Sequence, residues 1–250
     1  MINYTKLRNH IPSSIDIIML DSVDSTNTYA KSLSKNKNKQ NTLIIAKEQT
    51  KGKGTKGRSF FSESNKGLYM SYVFYDANTP DIMKPITPAA AIAVVRAMRY
   101  CYSLESGIKW VNDIELDQKK LCGILSESRS IGNLTEYIIG IGMNIYTMNF
   151  PIDIQNKAVS LCEYCNIGDI ELFTAQIIKE LDEILTSDSL EYMKEYKQSC
   201  TTIGKRICFT LSETEIFGIA EDINERGHLV VQSEEEIFTL ISADVSIKIL

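Results

Sequence analysis

Short apolar runs separated by polar punctuation set the rhythm of the chain. Residues 15–20 (IDIIML) and 42–47 (TLIIAK) are dense in Ile and Leu over five or six positions, which predicts two short strands. Between them lies DSTNTYAKSLSK, where Asp24 or Ser25 can accept from the first free N–H groups of a helix. Residues 67–75 (GLYMSYVFY) are aromatic and β-branched and predict a further strand. In residues 87–103 the period changes: Ile92, Val95, Met98 and Tyr102 recur on one helical face, with Thr87 as the expected cap and Pro88 at the first helical position. Residues 107–113, 120–128 and 136–145 again read as strands, with 115–118 (ELDQ) as the turn between the first two. A helix is expected over 171–185, where Phe173, Ile177, Leu181 and Ile184 share one face, and a second ends near 198.

After 198 the pattern becomes five short strands, GKRICFTL, EIFGIAEDI, HLVVQ, EIFTLI and DVSIKI, joined by turns such as Asn224-Glu225-Arg226-Gly227. The expected class is therefore α+β: a domain of mixed α and β structure over 1–198, followed by a small all-β barrel over 199–250. Residues 34–41 (SKNKNKQN) are the one polar, basic loop, and no internal repeat is found.

Composition narrows the function. The chain has 250 residues, 44% of them hydrophobic, enough to bury a sizeable core. Its formal charge of −5 lacks the broad basic field of a nucleic-acid binder. No apolar run is long enough to span a membrane and the first residues lack the apolar core of a signal peptide, so a cytoplasmic protein is expected. Six scattered cysteines suit reduced thiols better than a disulfide framework, and the Cys162/Cys165 pair has no second pair to complete a zinc set. His10 and His228 stand alone in polar surroundings and read as surface residues.

Against the acidic background, residues 46–62 (AKEQTKGKGTKGRSFFS) concentrate three glycines and five Lys or Arg residues. Glycines let a backbone approach a ligand closely, and cations beside them offset phosphate charge. The spacing is not that of a Walker loop. Gly52, Gly54 and Gly57 do match G-x-G-x-x-G, but no helix follows to receive a pyrophosphate. Taken alone, the segment reads equally well as a solvated connector.

Four other islands change that: DSTNTYAK (24–31), IKWVND (108–113), KKLCGILSE (119–127) and GIGMN (140–144). With the glycine loop they resemble, in order, the pattern of the biotin protein ligases: Asp-Ser-Thr-Asn, Gln then Gly-Arg-Gly-Arg-x-Gly-Arg, Lys-Trp-Pro-Asn-Asp, Lys-Leu-Ala-Gly-Ile-Leu and Gly-x-Gly-x-Asn. The resemblance runs over nearly the whole chain. It implies a mixed-sheet catalytic domain of the biotin/lipoate ligase type with a small SH3-like C-terminal barrel, and a two-step reaction. Biotin and ATP, with Mg²⁺, give biotinyl-adenylate and pyrophosphate; a lysine of a biotin carboxyl carrier protein or domain then takes the biotinyl group.

Carried over by position, the resemblance implies that Ser25, Thr26, Asn27, Gln49, Gly52, Lys53, Gly54, Thr55, Lys120, Gly123, Leu125 and Gly142 form the biotin site. Lys53, Gly54, Thr55, Arg58, Phe60, Lys109, Trp110, Asn112 and Asn144 fall to ATP and the adenylate, with Phe60 on adenine. Lys120, Asp113 and Arg58 are the implied catalytic groups. Asp113 is also the implied Mg²⁺ ligand or a base for the incoming lysine amine. The chemistry suits these residue types, because a carboxylate and the α-phosphate must meet and fixed cations offset their repulsion. Each residue also has a plainer reading as cap, turn, core or close-packing position; their co-occurrence in order favours the site.

With about 23 residues before the first motif, no DNA-binding domain is expected, and a homodimer is left open. Competing readings are a lipoate ligase or octanoyltransferase, a non-catalytic biotin sensor, and a nucleic-acid-binding barrel. The chain departs from the pattern at Val111, where proline is usual, at Ala243-Asp244-Val245, where Gly-Glu-Val is common, and at Thr55, where a second loop arginine is usual. The last departure predicts weak retention of the adenylate unless Lys56 or Arg58 substitutes. Thr55→Arg is expected to slow release of biotinyl-adenylate from the enzyme in a chase experiment; an unchanged rate would refute the weak-retention idea.

Overall fold

The computed structural model describes residues 2–33, 39–77, 84–211, 214–234, 236–241 and 247–250. Seven apolar segments pair into one mixed sheet: β1 (Asp16–Leu20), β2 (Thr42–Ala46), β3 (Gly67–Asp76), β4 (Gly107–Lys109), β5 (Asp113–Leu116), β6 (Lys119–Ile131) and β7 (Leu134–Asn144), in the order β1-β2-β3-β7-β6-β5-β4. β1 and β2 are parallel and all other pairs antiparallel. A parallel pair needs a crossover, and helix α2 (Thr26–Leu33) lies in that connection.

β3 is covered on both faces, which is why it reads as a continuous apolar run and not as an alternation. Leu68, Met70 and Tyr72 join Leu43, Ile45, Ile139 and Ile141 in the main core with helices α3 (Ile86–Tyr102) and α4 (Ile170–Thr186). On the opposite face Val73, Ile44 and Ile138 pack with Ala30 of α2 in a smaller cluster. α2 is short, so beyond it this face of the sheet carries the loop 49–62 instead of a helix.

Helix α3 starts at Ile86, so Thr87 lies inside it and is not the cap. Pro88 still falls in the first turn, where backbone N–H groups have no intrahelical partner. Ser103, with φ 52°, ends the helix by donating its N–H to Arg99 O at 3.0 Å. α4 is capped by Asp169, whose Oδ1 accepts from Leu172 N at 2.9 Å. α5 (Tyr192–Ser199) buries Tyr192, Met193 and Tyr196. An unexpected helix, α1 (Tyr4–His10), has only Leu7 buried and is capped by Asn3. The expected strand 107–113 is really two. The chain turns at 110–112, where the Trp110–Val111 peptide is cis, and β5 occupies part of the segment read as a turn. The true hairpin turn is Asp117-Gln118, both at positive φ, the tight two-residue type that matches strand twist.

The C-terminal strands appear as expected: β8 (Arg206–Leu211), β9 (Thr214–Ile223), β10 (Leu229–Gln232), β11 (Ile237–Leu240) and β12 (Ile247–Ile249), antiparallel in the order β11-β10-β9-β8-β12. This order is compatible with an SH3-like barrel. Residues 34–38 of the polar loop and Ala243-Asp244-Val245 lie outside the described residues. Among the described residues, no helix is long and apolar enough to cross a membrane.

The two sheets are joined at the β4 edge. Thr201 N donates to Ile108 O at 2.9 Å, Trp110 N to Thr202 Oγ1 at 2.9 Å, and Trp110 Nε1 to Gly227 O at 3.0 Å. Thr202 is fully buried, so replacing its hydroxyl with a methyl strands the Trp110 N–H. Thr202→Val is expected to cost about 1–3 kcal/mol, read as a lower urea midpoint with an unchanged m-value.

Candidate functional site

The sheet register builds the site. Ala46 pairs with Tyr69, Tyr69 with Gly142, Gly142 with Gly123, Gly123 with Asp113, and Asp113 with Lys109. Paired residues share a face. One row across the sheet therefore runs from an aromatic ring, over two bare glycines, to a carboxylate and an ammonium. A Cβ on Gly142 would lie 2.7 Å from the Phe60 ring, and one on Gly123 would lie 3.0 Å from Lys120 Cε. Glycine is required here by close approach, because any side chain would fill the floor.

The loop 49–62 folds over this floor. Phe60 N donates to Gly52 O at 2.9 Å and Gly54 N to Arg58 O at 2.7 Å. Lys56 and Gly57 turn the chain at positive φ. Phe60 lies edge-on to Tyr69, centroids 6.5 Å apart, and Lys120 Nζ stands 5.9 Å from its centroid. A cavity of about 100 Å³ remains. Ser25, Thr26, Asn27 and Gln49 form one end; Lys53, Gly54, Thr55, Arg58 and Phe60 the cover; Gly123, Leu125 and Gly142 the floor; Asn112 and Lys120 the other end. A second cavity, of about 500 Å³, shares Thr55, Arg58, Asn112 and Leu125 with the first and adds Lys109, Trp110 and Asp113.

Thr26, Asn27 and Gln49 of the polar end are joined in one hydrogen-bond network. Gln49 Oε1 accepts from Thr26 N at 2.9 Å and lies 3.2 Å from Thr26 Oγ1, while Gln49 Nε2 donates to Ser62 Oγ at 3.1 Å. The first N–H of α2 is thus taken by Gln49 rather than by an Asp24 or Ser25 side chain; Asp24 Oδ1 accepts instead from Ser25 N at 2.7 Å. Asn27 Nδ2 donates to Leu125 O and to Glu127 Oε2, each at 3.0 Å. Ser71 Oγ lies 2.6 Å from Asn27 Oδ1 and 2.7 Å from Thr26 Oγ1.

At the charged end, Lys120 Nζ is 2.6 Å from Asp113 Oδ1. The approach is an ion pair outside hydrogen-bond angles, so this buried oxygen has no hydrogen bond. Lys120 is itself fixed through its backbone, donating to Lys157 O at 2.8 Å and accepting from Val159 N at 3.0 Å. Lys109 Nζ lies 3.9 Å from Glu115 Oε1. Burial pushes the Glu115 carboxyl up from its ordinary pKa, and the attraction of Lys109 opposes that. Arg58 is turned back onto its own loop, with Nη2 2.9 Å from Thr55 Oγ1. A guanidinium therefore stands at the position where the loop lacks its second arginine.

Two of the expected residues line neither cavity. Gly52 sits under the Phe60 carbonyl and serves loop closure. Asn144 is buried and donates to Val159 O at 3.2 Å, anchoring the segment that also holds Lys120. Sequence reading missed Ser71, Glu127, Ser62 and Glu115. Ser71 was visible as a lone hydroxyl in an apolar strand, whereas Glu115 was hidden inside the presumed turn. The Cys162 and Cys165 thiols are free and are pushed up by burial. Among the described residues no cluster of three His, Cys, Asp or Glu side chains could hold a metal.

Comparisons with known proteins bear on the family and the fold. The model of the Biotin protein ligase C terminal domain matches residues 202–248. The chain is 28% identical over 243 residues to the bifunctional ligase/repressor BirA of Bacillus spizizenii, covering 92% of this chain and 74% of that protein. It is 24% identical over 212 residues to the biotin–[acetyl-CoA-carboxylase] ligase of Mycobacterium tuberculosis, covering 81% and 77%. Its fold is similar to the biotin protein ligase of Aquifex aeolicus in complex with biotin and ATP: TM-score 0.80, 25% identity, covering 94% and 99% of the two chains. The model of the Biotin/lipoate A/B protein ligase family matches residues 19–144, half of the chain, and with the site built from that same span, the chain belongs to this family.

Proposed function

We propose that this chain is a biotin protein ligase that makes biotinyl-adenylate from biotin and ATP and passes the biotinyl group to a lysine of a carboxylase carrier domain. The observation that carries this reading is the polarity of the cavity, hydrogen-bonding groups at one end, a bare glycine floor between, and Lys120 at the other end beside a second cavity. A ureido ring offers N–H donors and a C=O acceptor to Ser25, Thr26, Asn27 and Gln49. A dithiolane or plain acyl tail has no partner for the hydrogen-bonding capacity these groups keep beyond their own network, which disfavours lipoate and octanoate. The C-terminal module is of the biotin protein ligase type, which points the same way.

In the first step a biotin carboxylate oxygen bonds to the α-phosphorus of ATP and the bond to pyrophosphate breaks. Lys120 stands between the two anions; a unit charge pair at 4 Å is worth about 4 kcal/mol at an effective dielectric of 20. Lys53 and Arg58 add cations from the cover, and Lys109, Trp110 and Asn112 wall the second cavity, which takes the nucleotide. In the second step the carrier amine bonds to the acyl carbon, AMP leaves, and Asp113 takes the amine proton.

Asp113 also fits Mg²⁺. Its Oδ1 is paired with Lys120 Nζ at 2.6 Å, so Oδ2 is the oxygen left for the ion, and one carboxylate suffices when phosphates and water supply the rest. When bound, the ion would neutralise charge on the leaving pyrophosphate. The domain limits proposed are 1–198 for the catalytic part and 199–250 for the barrel. The setting is the cytoplasm, as monomer or homodimer.

Exchange of labelled pyrophosphate into ATP tests the reading, with biotin, lipoate and octanoate as parallel acids. Exchange is expected with biotin alone and is expected to fall by about 10²-fold or more in Lys120→Ala. Exchange with lipoate instead would refute the assignment of the polar end.

A further inference from the structure

We infer that Glu127, the last residue of the island 119–127 and one given no role in the site so far, is a positioning residue that fixes the polarity of the Asn27 amide and so selects a ureido head group. The inference rests on the proposed biotin reading.

An Asn side chain has two ends of opposite character and nearly equal shape, so its surroundings must decide which end faces a ligand. Asn27 is almost completely buried, on the first turn of α2. Both hydrogens of its Nδ2 are used, one on Leu125 O and one on Glu127 Oε2, at 3.0 Å each. Turning the amide over would set Oδ1 against a carbonyl and a carboxylate, two pure acceptors. The carbonyl end therefore remains on the side of Ser71 and the cavity.

The second oxygen of Glu127 also meets α2, in a partly exposed ion pair that is not needed for the bond to Asn27. Glu127 Oε1 is 2.6 Å from Lys31 Nζ, one turn further along α2 from Asn27. The carboxylate thus bridges two residues of the helix at i and i+4 spacing, and β7 beneath the amide is open only because residue 140 is glycine, where a Cβ would collide with Asn27 Oδ1. Proton counting extends the chain. The two short contacts each need a proton, so Thr26 Oγ1 donates to Ser71 Oγ and Ser71 Oγ donates to Asn27 Oδ1, while Gln49 Oε1 accepts from Thr26 N. Asn27 Oδ1 keeps at least one lone pair for a ligand N–H. The end of the cavity is thereby set as an acceptor at Asn27 with donor capacity at Ser25 and Gln49, the complement of a cyclic urea.

Glu127→Gln and Glu127→Leu separate this role from a structural one. Glutamine keeps an acceptor for Asn27 Nδ2 while losing the charge paired with Lys31; leucine keeps bulk and loses both. Glu127→Leu is expected to raise the biotin KM in pyrophosphate exchange, and the biotin Kd by calorimetry, ~10- to 100-fold, with kcat within about threefold. Glu127→Gln and Lys31→Met are expected to remain within about threefold of wild type. Glu127→Ala serves as a second variant if the leucine variant fails to fold by circular dichroism.

The inference is overturned if Glu127→Gln is as impaired as Glu127→Leu, if Lys31→Met reproduces the loss, or if both Glu127→Leu and Glu127→Ala leave biotin affinity unchanged. A wild-type chain that neither binds nor exchanges biotin overturns the function reading itself. Wild type that binds biotin without exchange leaves the calorimetric arm decisive for Glu127.

Discussion

The register of three strands is the constraint on which the site depends. β3, β7 and β6 must pair so that Gly142 meets Gly123 and both fall beside Tyr69. Shifting any one of these strands by a single residue turns its whole set of side chains to the opposite face. It would place Ile141 or Ile124 where the floor must be bare and send the glycines into the main core. The apolar residues at alternate positions, Leu68, Met70, Tyr72, Ile139 and Ile141, are buried against α3 and α4, so the hydrophobic core itself fixes the register. Packing on one face of the sheet thus sets the chemistry of the other.

The second dependence runs across the boundary between the two sheets. The turn that presents Lys109, Trp110 and Asn112 belongs to the catalytic sheet, yet its backbone and indole are bonded to Thr202 and Gly227 of the C-terminal segment. The short β4 strand contributes few ladder bonds of its own. The C-terminal sheet therefore completes the wall of the nucleotide-sized cavity, and the two sheets form one working unit.

Much of this was legible in the sequence because the strong signals are local. The run GLYMSYVFY, the period of residues 171–185 and the five terminal strands each carry enough apolar residues to declare their element. The order of the glycine loop and the Lys-Trp, Lys-Leu and Gly-x-Gly islands gathers most of the site. What stayed hidden depends on pairing. α1 has a single buried side chain and β5 only four residues, too few for a period. Asn144 looks like a ligand-facing end of a motif, but its amide is drawn to the Val159 carbonyl by a segment distant in sequence. Glu127 reads as an ordinary strand glutamate until the register puts it opposite Ile138 and under α2.

The position of Phe60 has a consequence for the thermodynamics of ligand capture. Its ring rests on the Gly142 floor and against Tyr69, so apolar surface in the site is already withdrawn from water before a ligand arrives. A ligand that takes over this floor exchanges one apolar cover for another. Heat-capacity changes on binding track newly buried apolar area. The change accompanying entry of a ligand here is accordingly smaller than its own buried surface would indicate, and the driving force shifts toward the directed hydrogen bonds at the polar end.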